Sequence, residues 1–301
     1  MPLEAPLRAE SHTNPNLEMS DREFQSFRDL VALHTGISLN DGKRSMLSSR
    51  LAKRLRSLSL ATFDDYYALL TLSDPAGQEL RQFINCVTTN KTSFFRESAH
   101  FDFVRREIQR RRQLGSGGLV PRQLSIWSAP CSTGEEAYSI AITVSEALNQ
   151  ASNWQARILA SDIDTAVLGR AGRGVYQSDT IDSLPPDIKQ HYFLKGRNSA
   201  DGFVLVKPFL RRMIDFRRIN LVEPIWSVHE TFDIIFCRNV LIYFDRPTQD
   251  RLIRRLIQQL KPDGYLIVGQ SEHLHWLREV VEPVSGTVYR ARRSERRSLE
   301  T

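Results

Sequence analysis

Beyond Pro121 the chain alternates short apolar runs with helical segments, and this alternation does most to limit what it can fold into. Leu124 to Ser128, Ile158 to Ser161, Ile214 to Arg217, Phe232 to Cys237 and Tyr265 to Gly269 read as strands; Gly134 to Leu148, Asp164 to Ala171 and Pro247 to Leu260 read as helices. Strands separated by helices of this length call for an α/β fold, a parallel sheet covered on both faces. Sheets of that kind bind ligands at the carboxyl ends of their strands. Between Gly174 and Met213 the alternation breaks. Pro185-Pro186, Asp201-Gly202 and the run Phe203 to Val206 predict a small antiparallel insertion there, a three-stranded flap.

The preceding stretch, from about Met19 to Asn90, reads as all helix. Ser20 with Glu23 resembles a capping box, and Phe24, Phe27, Leu30 and Val31 follow at helical spacing up to Gly36. A second helix runs from about Gly42 to Leu60, with Leu47, Leu51, Leu55 and Leu58 as a core stripe. Arg50, Lys53 and Arg54 share another of its faces, with Arg56 further round. That face either docks an acidic helical partner or is solvated. Helices around Phe63 to Leu72 and Gly77 to Val87 complete the region. The domain organisation expected is therefore a disordered leader over 1–16, a helical domain over 17–90, the α/β domain over 91–290 with its insertion at about 174–213, and a basic tail over 291–301.

No apolar run approaches the roughly 18 residues of a membrane span, and the N-terminus lacks the pattern of a secretory signal. The three cysteines, Cys86, Cys131 and Cys237, are odd in number and widely spaced, against a disulfide framework. With no CxxC or HExxH, no metal site is expected. These features suit a reducing cytoplasm. The net charge of +6 is compatible with nucleic acid and equally with an acidic protein substrate. Much of it is local: Arg105, Arg106, Arg110, Arg111 and Arg112 fall in one helix, and Arg290, Arg292, Arg293, Arg296 and Arg297 crowd the tail.

The first strand runs into Trp127-Ser128-Ala129-Pro130-Cys131-Ser132-Thr133-Gly134-Glu135-Glu136, where a Rossmann fold carries its tight glycine-rich turn. GxGxxG is absent, which argues against a dinucleotide pyrophosphate. Glu135 and Glu136 at the helix start would repel a phosphate, so a cationic ligand suits the turn better. S-adenosylmethionine, with its ammonium and sulfonium, is such a ligand. The alternative is that the glutamates only stabilise the helix N-terminus. Asp162, at the tip of the second strand, is placed to accept from ribose hydroxyls, whereas Asp164 reads as the cap of the next helix. Asn220 and Leu221 follow the third strand and could frame a purine, though an Asn there is also an ordinary turn residue. The fourth strand leads into Phe236-Cys237-Arg238-Asn239-Val240-Leu241-Ile242-Tyr243-Phe244. No Pro-Pro follows it, against an enzyme that methylates base amines. Upstream, Thr88-Thr89-Asn90-Lys91-Thr92-Ser93-Phe94-Phe95-Arg96 reads either as a segment folded over a ligand or as a linker with two core phenylalanines.

Together TNKTSFFR, WSAPCSTGEEAYSIA, ASDID, the Asn220-Leu221 pair, IIFCRNVLIYF and GYLIVGQSEHL occur in an order that resembles the bacterial chemotaxis receptor methyltransferases, the CheR family, from about Phe24 to Tyr289. The resemblance implies a Rossmann-like S-adenosylmethionine-dependent methyltransferase domain with a small antiparallel β insertion, preceded by an all-α N-terminal domain. It implies esterification of glutamate side chains on chemoreceptor helices. By the same resemblance Asn90, Thr92 and Arg96 contact the cofactor, Glu135 takes its amino-acid end, Asp162 its ribose, Asn220 and Leu221 its adenine, and Cys237 and Arg238 line the site. Arg96 and Tyr243 are the expected catalytic residues, and Arg50, Lys53 and Arg54 the expected docking surface for an acidic receptor helix. In some members the insertion docks a receptor tail peptide. Three positions depart from the family: Lys91 where Glu is frequent, Ala137 where Pro is, and Gln270 where His is. The expected partners are chemoreceptor cytoplasmic helices, not nucleic acid or membrane, and the chain is expected to act as a monomer. The rival readings are an RNA or small-molecule methyltransferase and a non-catalytic S-adenosylmethionine sensor.

Overall fold

The computed structural model describes residues 18–114, 122–148 and 154–292; the expected leader, the Gly-rich segment from Gly115 to Pro121 and the tail beyond Arg292 lie outside them. The described chain divides into two compact units, one over residues 18–34 and 39–87, the other over 35–38 and 88–292. No helix among the described residues is long and apolar enough to cross a membrane.

The first unit is built of α1 (Asp21–Thr35), α2 (Arg44–Leu58), α3 (Phe63–Leu72) and α4 (Gln78–Val87). The Ser20–Glu23 capping box forms: Ser20 N–H donates to Glu23 Oε2 at 2.8 Å and Glu23 N–H to Ser20 Oγ at 3.3 Å. A second box, Thr62 with Asp65, opens α3. The stripe Leu47, Leu51 and Leu55 is buried against an aromatic cluster in which Phe27 stacks on Tyr66 at 6.0 Å and meets Phe83 at 5.9 Å. Two cations of the α2 basic face work inside this unit. Arg50 donates to the carbonyls of Cys86 and Val87, which the end of α4 leaves without helical partners. Arg54 forks onto Glu79, which also accepts from the Tyr66 hydroxyl at 2.8 Å. Lys53 and Arg56 are exposed.

The second unit contains α5 (Ala99–Gln113), β1 (Arg122–Ser128), α6 (Glu135–Leu148), β2 (Trp154–Asp162), α7 (Thr165–Arg173), β3 (Val175–Gln177), α8 (Pro186–Tyr192), β4 (Phe193–Lys195), β5 (Phe203–Val206), α9 (Pro208–Arg211), β6 (Ile214–Arg218), β7 (Phe232–Cys237), α10 (Arg246–Gln258), β8 (Leu260–Val268), β9 (Val281–Ser285) and β10 (Val288–Ala291). Seven strands form one sheet in the order β6-β2-β1-β7-β8-β10-β9. The first five are parallel, and β10 runs antiparallel to both of its neighbours. The terminal β9–β10 pair has no counterpart in the sequence reading.

Alternation along each strand assigns side chains to opposite faces. Ile126, Ile234, Phe236, Tyr265 and Ile267 join a core with α5 and α6; Trp127, Ile235, Cys237, Leu266 and Val268 join another with α10. Burial on both faces is why Ile234 to Cys237 is a continuous apolar run. The arginines of α5 are partly structural. Arg110 and Arg111 both hold the buried Glu107, and Arg111 with Lys261 holds Asp233, which in turn accepts from Ser125 N–H at 2.8 Å.

The insertion forms a separate sheet, β3-β5-β4, antiparallel throughout. Its Tyr176 and Phe193 point inward, and the ring of Phe94 meets both edge-on, at 5.1 and 5.4 Å. Between β1 and α6 the chain turns through Gly134, at φ +98°. A Cβ there would lie 2.8 Å from Ala171 Cβ and 2.9 Å from the Tyr176 hydroxyl. Gly134→Ala is expected to destabilise the fold by about 1–3 kcal/mol; an unchanged urea midpoint would show that the turn tolerates a side chain.

Candidate active site

Because β1, β2, β7 and β8 are parallel, their carboxyl ends share one edge, and the loops beyond them form a cleft. The β1–α6 turn consists of small residues, so its backbone comes close to the neighbouring strand tip. Ser132, at φ +49°, donates its N–H to Asp162 Oδ2 at 2.8 Å and its hydroxyl to the Asn90 carbonyl at 3.1 Å. Asp162 ends β2 almost fully buried, and its Oδ1 accepts from Asp164 N–H at 3.0 Å. Burial pushes its carboxyl up to about 6, against the pull of those amides.

Asp164 caps α7 as expected, its Oδ1 accepting from Ala166 and Val167 N–H. Its second oxygen does something the sequence did not disclose: it accepts from Thr88 Oγ at 2.7 Å and Asn90 Nδ2 at 2.8 Å. One carboxylate therefore anchors the start of the Thr88–Arg96 segment. Further along, Phe95 N–H donates to Ser139 Oγ at 2.9 Å, and the Phe95 ring meets Phe101 at 5.2 Å. Both phenylalanines are core residues, and the polar residues between them and Asp164 face the cleft. The segment thus carries phenylalanines packed into the core and polar residues that line the cleft.

At the tip of β7, Arg238 is buried, with 1% of its side chain exposed. It lies 2.9 Å from Glu97 Oε2 and 3.0 Å from Glu136 Oε2, and it also donates to the Arg96 carbonyl. Glu136 further accepts from the Ser128 hydroxyl at 2.7 Å. Glu97, at φ +58°, accepts from Asn239 Nδ2 and Gln270 N–H as well. Burial pushes Glu97 up, but the Arg238 guanidinium and the other donors outweigh it and hold the group below the usual carboxylate range. In Glu136 burial prevails over the same guanidinium and the carboxyl is raised. His100, beside this group, is lowered to about 4 by burial and by the Arg238 charge, so it is neutral.

The cleft opens to solvent and is lined by Asn90, Lys91, Thr92, Arg96, Asp162 and Arg238 together with Thr89, Pro130, Ser132, Glu136 and Asn239. Five of the expected site residues thus meet. Glu135, Asn220, Leu221, Cys237 and Tyr243 are not in that lining. Glu135 is buried and accepts from the Thr133 hydroxyl at 2.6 Å. Asn220 Oδ1 accepts from Val222 N–H, and its carbonyl from the Trp226 indole. Asn220 and Leu221 lie just beyond β6, where Ile219 N–H meets the Asp162 carbonyl at 3.0 Å. Cys237 is wholly buried in the sheet. Tyr243 closes the short turn after β7, and its carbonyl accepts from Ser38 N–H at 2.8 Å.

Residues 90–290 match the family described as CheR methyltransferase, SAM binding domain, and residues 22–88 match its all-alpha domain. The chain belongs to the CheR methyltransferase family. It is 42% identical over 280 residues to chemotaxis protein methyltransferase 2 of Pseudomonas aeruginosa, covering 92% of this chain and 95% of that protein. It is 42% identical to the chemotaxis protein methyltransferase of Escherichia coli, covering 91% and 92%, and 43% identical to that of Klebsiella aerogenes, covering 85% of each. As a CheR family member it is an S-adenosylmethionine-dependent methyltransferase of chemotaxis, with the all-α and Rossmann-like domains of the family.

The cleft suits such a donor. Its lining presents the Asp162 carboxylate, the Thr92 hydroxyl and the Arg96 guanidinium, and behind them the buried Nε–H of Arg238 has no partner among the described residues. The sequence reading missed Glu97, Glu136 as an ion-pair partner, and the second role of Asp164. A signal existed for the first two: an arginine that directly follows the buried run Ile234 to Cys237 needs a carboxylate partner. Arg238→Ala removes the cation between two buried carboxylates and is expected to cost about 3–5 kcal/mol, read as a lowered urea midpoint; a change below about 1 kcal/mol would mean that the network contributes nothing net.

Proposed function

We propose that the protein transfers the donor methyl group to glutamate side chains on the cytoplasmic helices of a chemoreceptor, forming methyl esters, and that it does so as a cytoplasmic monomer. What carries the reading is the charge left in the cleft. Arg238 is offset by Glu97 and Glu136, whereas Arg96 and Lys91 line the opening without a carboxylate partner among the described residues. Arg96 donates to the Lys91 carbonyl at 2.9 Å, which leaves its charge unbalanced, and two such cations suit an anionic acceptor. No imidazole is in the lining, and none is needed, because a glutamate of pKa about 4.3 is already ionised at neutral pH.

The donor supplies an electrophilic methyl group; the protein supplies alignment. In this reading Asp162 takes the ribose hydroxyls, Asn90 and Thr92 hold the donor from the Thr88–Arg96 segment, and Asn220 with Leu221 frames the adenine. Glu135, Cys237 and Arg238 shape the amino-acid end. Arg96 positions the incoming carboxylate and the Tyr243 hydroxyl orients its second oxygen. A tight grip would favour the ionised ground state, since charge is neutralised as the ester forms. One positioning donor therefore serves better than a clamp. Arg50, Lys53 and Arg54 were expected to dock the receptor helix; with Arg50 and Arg54 engaged inside their unit, Lys53 and Arg56 are the cations of α2 best exposed for that contact.

The deciding experiment incubates the protein with tritiated S-adenosylmethionine and chemoreceptor membranes. Alkali-labile, volatile label is expected; stable label, or none, would discard glutamate esterification. Arg96→Ala is expected to lower transfer about 10²-fold or more, and Tyr243→Phe to lower turnover more than donor affinity. Wild-type rates in either variant would remove that residue's role.

The pH dependence has a definite sign. Asp162 accepts best when ionised, so affinity for S-adenosylhomocysteine, followed by calorimetry, is expected to fall as pH drops through about 6, and Asp162→Asn to flatten that fall. Its effect on stability is opposite. A carboxyl raised above its unfolded value stabilises the fold fully only below about 4, and the contribution is lost as pH rises through about 6.

A further inference from the structure

Glu272 is outside the cleft lining, yet it is 4% exposed and has no ion-pair partner among the described residues. Its carboxylate is held by backbone amides alone. Oε2 accepts from Gly269 N–H and Asn239 N–H, each at 2.7 Å, and Oε1 from Leu241 N–H at 2.8 Å. Burial pushes the carboxyl up while these amides pull it down. A buried carboxylate satisfied only by main chain is an expensive arrangement, and the local backbone is shaped around it. Asn239 sits at φ +58°. A Cβ on Gly269 would come within 2.8 Å of Glu272 Oε2 and 2.6 Å of Asn239 Nδ2, so only glycine lets the β8 tip approach.

Leu241 opens the one-turn helix Leu241–Tyr243. The carbonyl side of that turn is fixed as well. Gln249 Nε2 on α10 donates to the carbonyls of Leu241 and Phe244 at 2.8 and 3.0 Å, and Ser38 N–H donates to the Tyr243 carbonyl. The amides are gripped from one side by Glu272 and the carbonyls from the other by Gln249. Between these grips the Tyr243 ring has its backbone set before any substrate arrives.

We propose that Glu272 is a positioning residue, whose carboxylate fixes the turn after β7 so that the Tyr243 hydroxyl is presented to the acceptor carboxylate. This rests on the role proposed above for Tyr243. The link is physical: methyl transfer is governed by alignment, and a misplacement of about 1 Å costs on the order of 10²-fold in rate. Glu272 acts on the rate through the turn, not on donor binding.

The test is Glu272→Gln. The amide keeps one acceptor oxygen, but its NH₂ cannot accept, so one of the three N–H groups loses its partner. Expected are a fall in kcat of about tenfold or more, a donor KM and S-adenosylhomocysteine affinity within about threefold of wild type, and faster hydrogen exchange at the Leu241 amide. In a Tyr243→Phe background the same substitution is expected to cost less than in wild type. Wild-type kcat in folded E272Q, a loss confined to donor binding, or an equal cost in both backgrounds would overturn the proposal. If E272Q does not fold, E272D, one methylene shorter with the charge kept, takes its place with the same readouts. Failure of wild-type protein to methylate receptor would sink the function proposed above. Amide exchange needs no acceptor and reads the hold of Glu272 on its turn in either case.

Discussion

A single buried guanidinium joins the parts of this active site. Arg238 leaves the end of the central strand and meets Glu97, from the segment upstream of the sheet, and Glu136, from the first turn of the helix that follows β1. Three stretches of chain far apart in sequence thus meet on one charge. Each stands in an unfavourable setting alone: Arg238 and Glu136 are buried and Glu97 has a left-handed backbone. An ion pair removed from water is costly unless geometry and further hydrogen bonds compensate. Here Ser128, Asn239 and the Gln270 amide supply those bonds. The return is placement: the cleft lining cannot shift at one point without exposing a charge at another.

A second carboxylate system follows the same logic with backbone in place of arginine. Asp162 and Asp164 end β2 side by side. The first accepts from the β1–α6 turn, and the second caps α7 and ties down Thr88 and Asn90. The acidic residues of the site are thus used first to hold loops together. The cations Arg96 and Lys91 line the opening with no carboxylate partner among the described residues, the charge on which the proposed anionic acceptor rests.

The parallel sheet, its two-sided core and the insertion were legible because periodicity reports them; the order of the strands and the antiparallel β9–β10 pair were not. Phe232 to Cys237 was read with the ends it has, since five of its six residues are apolar and the strand is buried on both faces. The Asp164 cap and the Ser20–Glu23 box were legible because capping is local. The lining role of Asn90, Thr92, Arg96, Asp162 and Arg238 came from motif resemblance, and these five do meet. What stayed hidden was pairing across long separations. Nothing in the sequence near Arg50 says that it will satisfy the carbonyls ending α4, and nothing near Arg54 announces Glu79, 25 residues on. The basic face of α2 therefore looked more available than it is. Glu272 was invisible for another reason: its partners are main-chain amides, which carry no side-chain signature.

Phe94 bears on how the insertion can be regarded. Its ring is wedged against Tyr176 of β3 and Phe193 of β4, two residues before Arg96. The three-stranded sheet is accordingly a buttress for the catalytic segment, whatever else its outer surface meets. A shortened enzyme with residues 174–213 looped out would strip that phenylalanine of both aromatic neighbours and loosen the segment that lines the cleft. Evolution can decorate the exterior of such a sheet freely, but its inner wall is shared property of the active site.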